Sequence, residues 1–196
     1  MDQMLAMETA ARTRLIETTA RLLQVQGYHN TGLNQIVAES AAPKGSLYHY
    51  FPGGKVELAV TAIEHSAADT ARKLGELAAG QPSALRGLGA VIDHFIAEFE
   101  SSAFRKGCPI ATVTLEQAAL DDAIQAACAR AYALWQQGLA AWLGALKTPN
   151  AAFLAEHLLV LIEGAMLLSR AQRDCAPLRR VKAGLPKLLN LPELAS

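Results

Sequence analysis

The chain is poor in the features that would make it anything but an ordinary reduced, water-soluble protein. Only three cysteines occur, Cys108, Cys128 and Cys175. They form no CxxC pair and no even set, which argues against a disulfide framework or a thiolate zinc site and for a reducing compartment. Neither sign of charge is in excess, since 18 Lys plus Arg balance 18 Asp plus Glu. That balance excludes the basic coat of a non-specific nucleic-acid binder but not a compact DNA-reading module. No unbroken apolar run reaches the roughly 18 residues needed to span a bilayer. The opening "MDQMLAMETAARTR" lacks the basic-then-apolar order of a secretory signal, so the chain reads as cytoplasmic, with no membrane partner.

Catalytic signatures are missing too. There is no GxSxG, no HExxH, no phosphate-cradling glycine loop and no paired Glu-x-x-His of a di-iron bundle. Glu64-His65, Asp93-His94 and Glu156-His157 set an acid beside a histidine, but neighbours on a helix point about 100° apart and do not share a site. His65 with Asp69 and His94 with Glu98 do share a face, yet two ligands make a weak metal site. The expectation is therefore no catalytic residue, no metal and no cofactor. An enzyme using a helical pocket is the weaker rival reading, and a helical adaptor that binds another protein is the stronger one.

What the sequence does contain is apolar residues, 52% of the chain, laid out almost everywhere with helical period. Leu15, Ile16, Ala20, Leu22, Leu23 and Val25 mark a helix over 8–26 that Gly27 ends. Thr31 stands where an N-cap would, ahead of Leu33, Ile36 and Val37, and that short helix stops near Ser40. Pro43 suits the first turn of the next, which reaches Phe51 before Pro52, Gly53 and Gly54 end it. Lys55 restarts a long helix to about Ala79. Further helices are expected over 84–102, with Ser83 as cap, then 109–117, 121–146, 150–173 and 177–190. No strand pattern competes. The fold expected is all-α, with a three-helix N-terminal domain over 1–53 and a larger helical domain over 54–196.

Two short helices joined by a tight turn have the spacing of a helix-turn-helix, whose second helix enters the DNA major groove. A helix of two turns is not stable alone, so Leu47 and Phe51 must pin it from inside. Lys44, Gly45, Ser46, Tyr48, His49 and Tyr50 are left outside. Each suits a phosphate or a base edge: a cation, a close backbone approach, or a hydroxyl or imidazole donor. Lys55 adds a positive side chain at a positive dipole end, and Thr31 offers a hydroxyl at the start of the preceding helix.

The run "GYHNTGLNQIVAESAAPKGSLYHYFPGGKVEL", Gly27 to Leu58, resembles the N-terminal signature of TetR-type transcription regulators. Gly27, Tyr28, Thr31, Ile36, Gly45, Leu47, Tyr48, Phe51, Lys55 and Leu58 stand in matching order. Ala41 replaces the usual turn glycine, Tyr50 stands where His is common, and the loop before Lys55 is one residue longer. "GCPIA" at 107–111 and "EGAMLLSRAQRD" at 163–174 are similar to the LmrA/YxaF branch. Its members repress resistance or oxidoreductase genes and leave DNA on binding small aromatic or lipophilic compounds. The resemblance implies a repressor that binds a palindromic double-stranded operator as a homodimer. It assigns Thr31, Tyr48, Tyr50 and Lys55 to phosphates, and Lys44, Gly45, Ser46 and His49 to the groove.

Reading a palindrome requires two recognition helices held about 34–36 Å apart, hence a second subunit. Leu154, Leu158, Leu161, Gly164, Ala165 and Leu168 recur at helical spacing near the C-terminus and would form that seam with the last helix. The same stripe would also suit packing within one subunit. For the effector, Phe95, Phe99, Cys108, Trp135, Leu139, Trp142 and Met166 are large or soft side chains suited to an apolar cavity, and each also suits plain core.

Overall fold

The computed structural model of the chain describes residues 2–43 and 45–189, with side chains from residue 9 onward. Among the described residues the regular structure is all helical. The helices are α1 (Asp2–Gln26), α2 (Leu33–Ser40), α3 (Ser46–Tyr50), α4 (Gly54–Ala79), α5 (Ala84–Ser101), α6 (Ala111–Gln117), α7 (Asp122–Ala145), α8 (Ala151–Gln172) and α9 (Ala176–Leu189).

The chain divides into two compact units, one of Met1–Ala68 with Pro109–Ala131 and the other of Asp69–Cys108 with Tyr132–Ser196. This division differs from the expected cut between residues 53 and 54. The first half of α4 belongs with the N-terminal helices because Leu58 is part of their core. The short α6 joins them as well, packed on α1.

The core of the first unit is built from Leu15, Ile16 and Leu22 of α1, Ile36 of α2, Ala42, Leu47, Phe51 and Leu58. Helix α3 has five residues and is held in place from both ends. Leu47 and Phe51 are buried, and the Phe51 N–H donates to the Leu47 carbonyl at 2.7 Å. The Arg12 guanidinium lies 5.3 Å from the centre of the Phe51 ring, a cation–π contact on its outer side.

Two expected helix starts are corrected. Thr31 does not cap α2; Gly32 occupies that position in an extended conformation. The Thr31 side chain is fully buried, its hydroxyl donating to the Gly27 carbonyl at 2.6 Å and its N–H to the Tyr28 carbonyl at 3.2 Å. The side chain closes the turn after α1 instead of opening α2. Pro43 likewise stays outside α3, which begins at Ser46 after Gly45 at φ 90°. The Pro43 carbonyl accepts both the Ser46 N–H at 3.1 Å and its hydroxyl at 2.8 Å. Ala41 itself takes a left-handed conformation, φ 51°, which costs a residue bearing a Cβ about 1–2 kcal/mol more than glycine.

In the second unit α5 packs on α9 and α8, and α8 on α9. Leu88, Ile92 and Phe99 of α5 are buried, as are Leu154, Leu158 and Ile162 of α8 and Leu178 and Leu185 of α9. Gly87 is needed for a close approach, since a Cβ there would stand 2.4 Å from the Trp142 ring. Ser83 caps α5 as expected, accepting from the Arg86 N–H at 3.4 Å. By length and composition α8 is apolar enough to cross a membrane, although Glu156 and Glu163 break any continuous apolar run. Its hydrophobicity serves two faces, one packed in the unit and one exposed.

Candidate nucleic-acid interface and sensor body

Helix α3 turns its Leu47 side into the core, and its opposite face is open. Tyr48 is 63% exposed. Its ring leans over the start of α4, where a Cβ on Gly54 would meet Tyr48 Cε1 at 3.8 Å. His49 is exposed and meets the Tyr50 ring edge-on at 5.0 Å. Tyr50 is half-buried against the core. Ser46 is partly exposed. Gly45 is exposed, with nothing within 4 Å of the position of a Cβ, so its backbone is open to close approach. Lys44 lies outside the described residues. Of the eight residues expected to meet DNA, Gly45, Ser46, Tyr48, His49 and Tyr50 thus share one short segment.

Thr31 and Lys55 are placed otherwise. Thr31 is buried with both its donors used, which corrects the expectation of a phosphate contact there. Lys55 does not stand free as a phosphate seat. Its Nζ donates to the Tyr28 carbonyl at 2.7 Å and lies 4.2 Å over the Tyr28 ring. Burial pulls the ammonium below its ordinary pKa while the nearby Glu116 carboxylate pushes the other way. A flexible, partly apolar lysine stem gains more by covering a tyrosine and closing a carbonyl than by reaching into solvent.

The same turn shows residues that the sequence reading did not single out. Glu116 Oε2 accepts the His29 backbone N–H at 2.9 Å, and Gln117 Nε2 lies 2.9 Å from His29 Nε2. Nothing local in "TLEQ" signals these pairings, which join residues more than eighty apart in sequence.

All seven candidate effector residues fall in the second unit. Phe99, Cys108 and Met166 are buried; Phe95, Trp135, Leu139 and Trp142 are partly exposed. Phe99 stacks on Phe104 at 5.8 Å, Trp135 meets Tyr132 edge-on at 5.6 Å, and Trp142 fills the notch at Gly87. The sequence reading missed Glu163, whose carboxyl is pushed up by burial while a hydrogen bond with Cys108 pulls it down.

A carboxyl raised in the folded state favours folding in its protonated form. That contribution is present below the ordinary carboxylate pKa and is lost as pH rises through the raised value. Glu163→Gln is therefore expected to melt higher than the parent at pH 8 and to match it near pH 4. A thermal-shift difference that does not change between these pH values would refute this.

The expected subunit seam is partly overturned. Leu154, Leu158 and Ala165 are buried within their own subunit because that stripe of α8 faces α5 and α9. Leu161, Gly164 and Leu168 point outward. Val160, 67% exposed, and Leu167, 56% exposed, continue the outward face.

A short helix pinned from behind and offered outward after a tight turn is the arrangement of a helix-turn-helix DNA-binding unit. The comparisons name the family. Residues 15–61 match the family described as bacterial regulatory proteins, tetR family. Residues 84–184 match the C-terminal domain of LmrA/YxaF-like transcriptional regulators. The HTH-type regulator YxaF of Bacillus subtilis is 32% identical, the match covering 91% of this chain and 95% of that protein. LmrA of the same organism is 30% identical over 91% of this chain and 96% of its own. Among solved structures, a regulatory protein TetR from Rhodobacter sphaeroides superposes with a TM-score of 0.80 at 25% identity, covering 91% of this chain and 98% of that one. The chain belongs to the TetR family, whose members are DNA-binding transcription regulators that act as dimers and not enzymes.

Proposed function

We propose that this chain is a cytoplasmic, ligand-responsive repressor. A homodimer binds a palindromic operator through Gly45, Ser46, Tyr48, His49 and Tyr50, with Lys44 beside them, and a small lipophilic or aromatic effector releases it. The observation that carries the reading is the exposed Tyr48 on a five-residue helix anchored by buried Leu47 and Phe51. A tyrosine left mostly in water on so short an element offers an amphipathic ring and a hydroxyl suited to a phosphate or a groove edge. The outward apolar face of α8 supports the dimer. The aromatic-rich second unit, through which α4 continues to Ala79, supports an apolar effector whose binding is felt at the reading helices. A coupling of about 1–3 kcal/mol would change operator affinity roughly 5- to 150-fold.

The test is fluorescence anisotropy on DNA upstream of the protein's own gene and on other genomic fragments, at fixed salt, for the parent and Tyr48→Ala. Preference for a native fragment over scrambled DNA is expected, weakened about tenfold by the substitution, equivalent to ~1.4 kcal/mol. A parent that prefers no genomic fragment would overturn the reading and bring the adaptor forward.

A further inference from the structure

The turn between α1 and α2 is gripped by α6, a helix that carries none of the residues assigned to DNA. Gly27 has φ +78°, and an ideal Cβ there would fall 1.8 Å from Glu116 Oε1. The carboxylate thus occupies the space that only a glycine leaves. Its other oxygen takes the His29 N–H at 2.9 Å. The neighbouring Gln117 side chain meets the His29 imidazole at 2.9 Å. Lys55 of α4 donates to the Tyr28 carbonyl at 2.7 Å. Three residues after His29 stands Gly32, the N-cap of α2, so the position of this turn sets where the helix-turn-helix begins.

A backbone N–H in an exposed turn is satisfied by water without help. A carboxylate brought to it from 87 residues away therefore adds a tie between two parts of the chain more than it repairs an unmet donor. The bond is charge-assisted and so among the stronger of its kind. Helix α6 has seven residues and starts three residues after Cys108, the last residue of a segment that belongs to the sensor body. In that segment Gly107 lies against the Arg170 guanidinium, 2.9 Å from where a Cβ would be. A displacement of residues 105–108 reaches α6 through a single short stretch of backbone.

We propose that α6 is a latch on the DNA-reading unit, with Glu116 and Gln117 as positioning residues. By holding the turn at Gly27–His29 they fix the start of α2, and thereby the attitude of α3, in the DNA-competent state. This inference rests on the DNA-binding reading above, and the measurements separate the two. The full-length protein is compared with Glu116→Ala, Glu116→Gln and Gln117→Leu by anisotropy on the fragment the parent prefers, by thermal melting and by amide hydrogen exchange in residues 27–33.

Glu116→Ala is expected to weaken operator binding about tenfold and to speed exchange in 27–33, with melting within about 2 °C of the parent, as a surface contact implies. Glu116→Gln keeps an acceptor for the His29 N–H and should restore affinity to within about twofold. Gln117→Leu should fall between them, and decides the matter if Glu116→Ala does not fold. Equal affinity for Glu116→Ala and the parent would overturn the latch, and so would Glu116→Gln as weak as Glu116→Ala. If the parent binds no DNA, the functional reading fails instead. Exchange in 27–33 that is fast in Glu116→Ala and slow in Glu116→Gln would then still uphold the grip, and equal exchange in all variants would end it.

Discussion

Phe51→Ala is expected to destabilise the DNA-facing unit by about 3–5 kcal/mol, the usual range for emptying a buried phenylalanine site. Phe51 is fully buried in a cluster that also holds Leu15, Ile36, Leu47 and Leu58, so its ring belongs to a core drawn from α1, α2, α3 and α4. It is also the C-cap of α3, bonded through its N–H to Leu47, and the Arg12 guanidinium stacks on the ring. A five-residue helix has almost no stability of its own, so removing the ring releases α3 from its support.

The two tryptophans, Trp135 and Trp142, both lie in the other unit, which makes the prediction resolvable. In a urea titration the circular-dichroism signal should show an early transition in Phe51→Ala while tryptophan fluorescence keeps its parental midpoint. Loss of less than about 1 kcal/mol in the dichroism transition would mean that Phe51 is not the keystone of this core. Operator binding should be lost well before the second unit melts, since α3 has no order without the ring behind it.

How far the sequence could be read depended on how local each cause was. Helix periodicity is local, so α4, α5, α7 and α8 lie within a residue of the spans expected from apolar spacing and from Ser83, whereas α1 begins at Asp2, six residues ahead of the expected start. The exposed face of α3 was also legible, because Leu47 and Phe51 inward leave Tyr48 and His49 outward on any helix built from those residues.

The misreadings share a different cause. Thr31 looked like a cap because threonine commonly caps, but here the hydroxyl finds the Gly27 carbonyl, and Gly32 supplies the extended residue that α2 needs. Pro43 suited a helix start, but Gly45 with positive φ resets the chain two residues later. Lys55 looked like a phosphate seat because its partner, Tyr28, is 27 residues away. On α8 both faces are apolar, so period alone had no means to decide which is packed. The structure decides it with α5 and α9, and the Leu154–Leu158–Ala165 stripe goes inside. Glu163, Glu116 and Gln117 escaped notice for the same reason: their partners are set by tertiary packing.

The second large effect concerns that outward face. If α8 meets its counterpart about a two-fold axis, the interface is isologous, and every substitution in it occurs twice in the dimer. Leu161 and Leu168 are seven residues apart on one side of α8, are both exposed in the single chain, and flank Gly164, which has nothing within 4 Å of its Cβ position. That leaves room for a partner helix to approach closely.

Leu161→Glu combined with Leu168→Glu would place four carboxylates in an apolar dimer seam. The cost is several kcal/mol per buried charge, enough to move a nanomolar dimer to dissociation at micromolar concentration or above. Neither side chain supports the monomer's core, so the monomer should keep its helical content and melting profile. Substituting Leu158, which is buried, would confound the two effects. Sedimentation at 1–10 µM is expected to give a dimer for the parent and a folded monomer for the double variant. A dimer that survives both charges would put the subunit seam elsewhere. Since one reading helix cannot span two half-sites about 34 Å apart, the folded monomer should also lose the palindrome's advantage over a half-site, while Phe51→Ala loses both together.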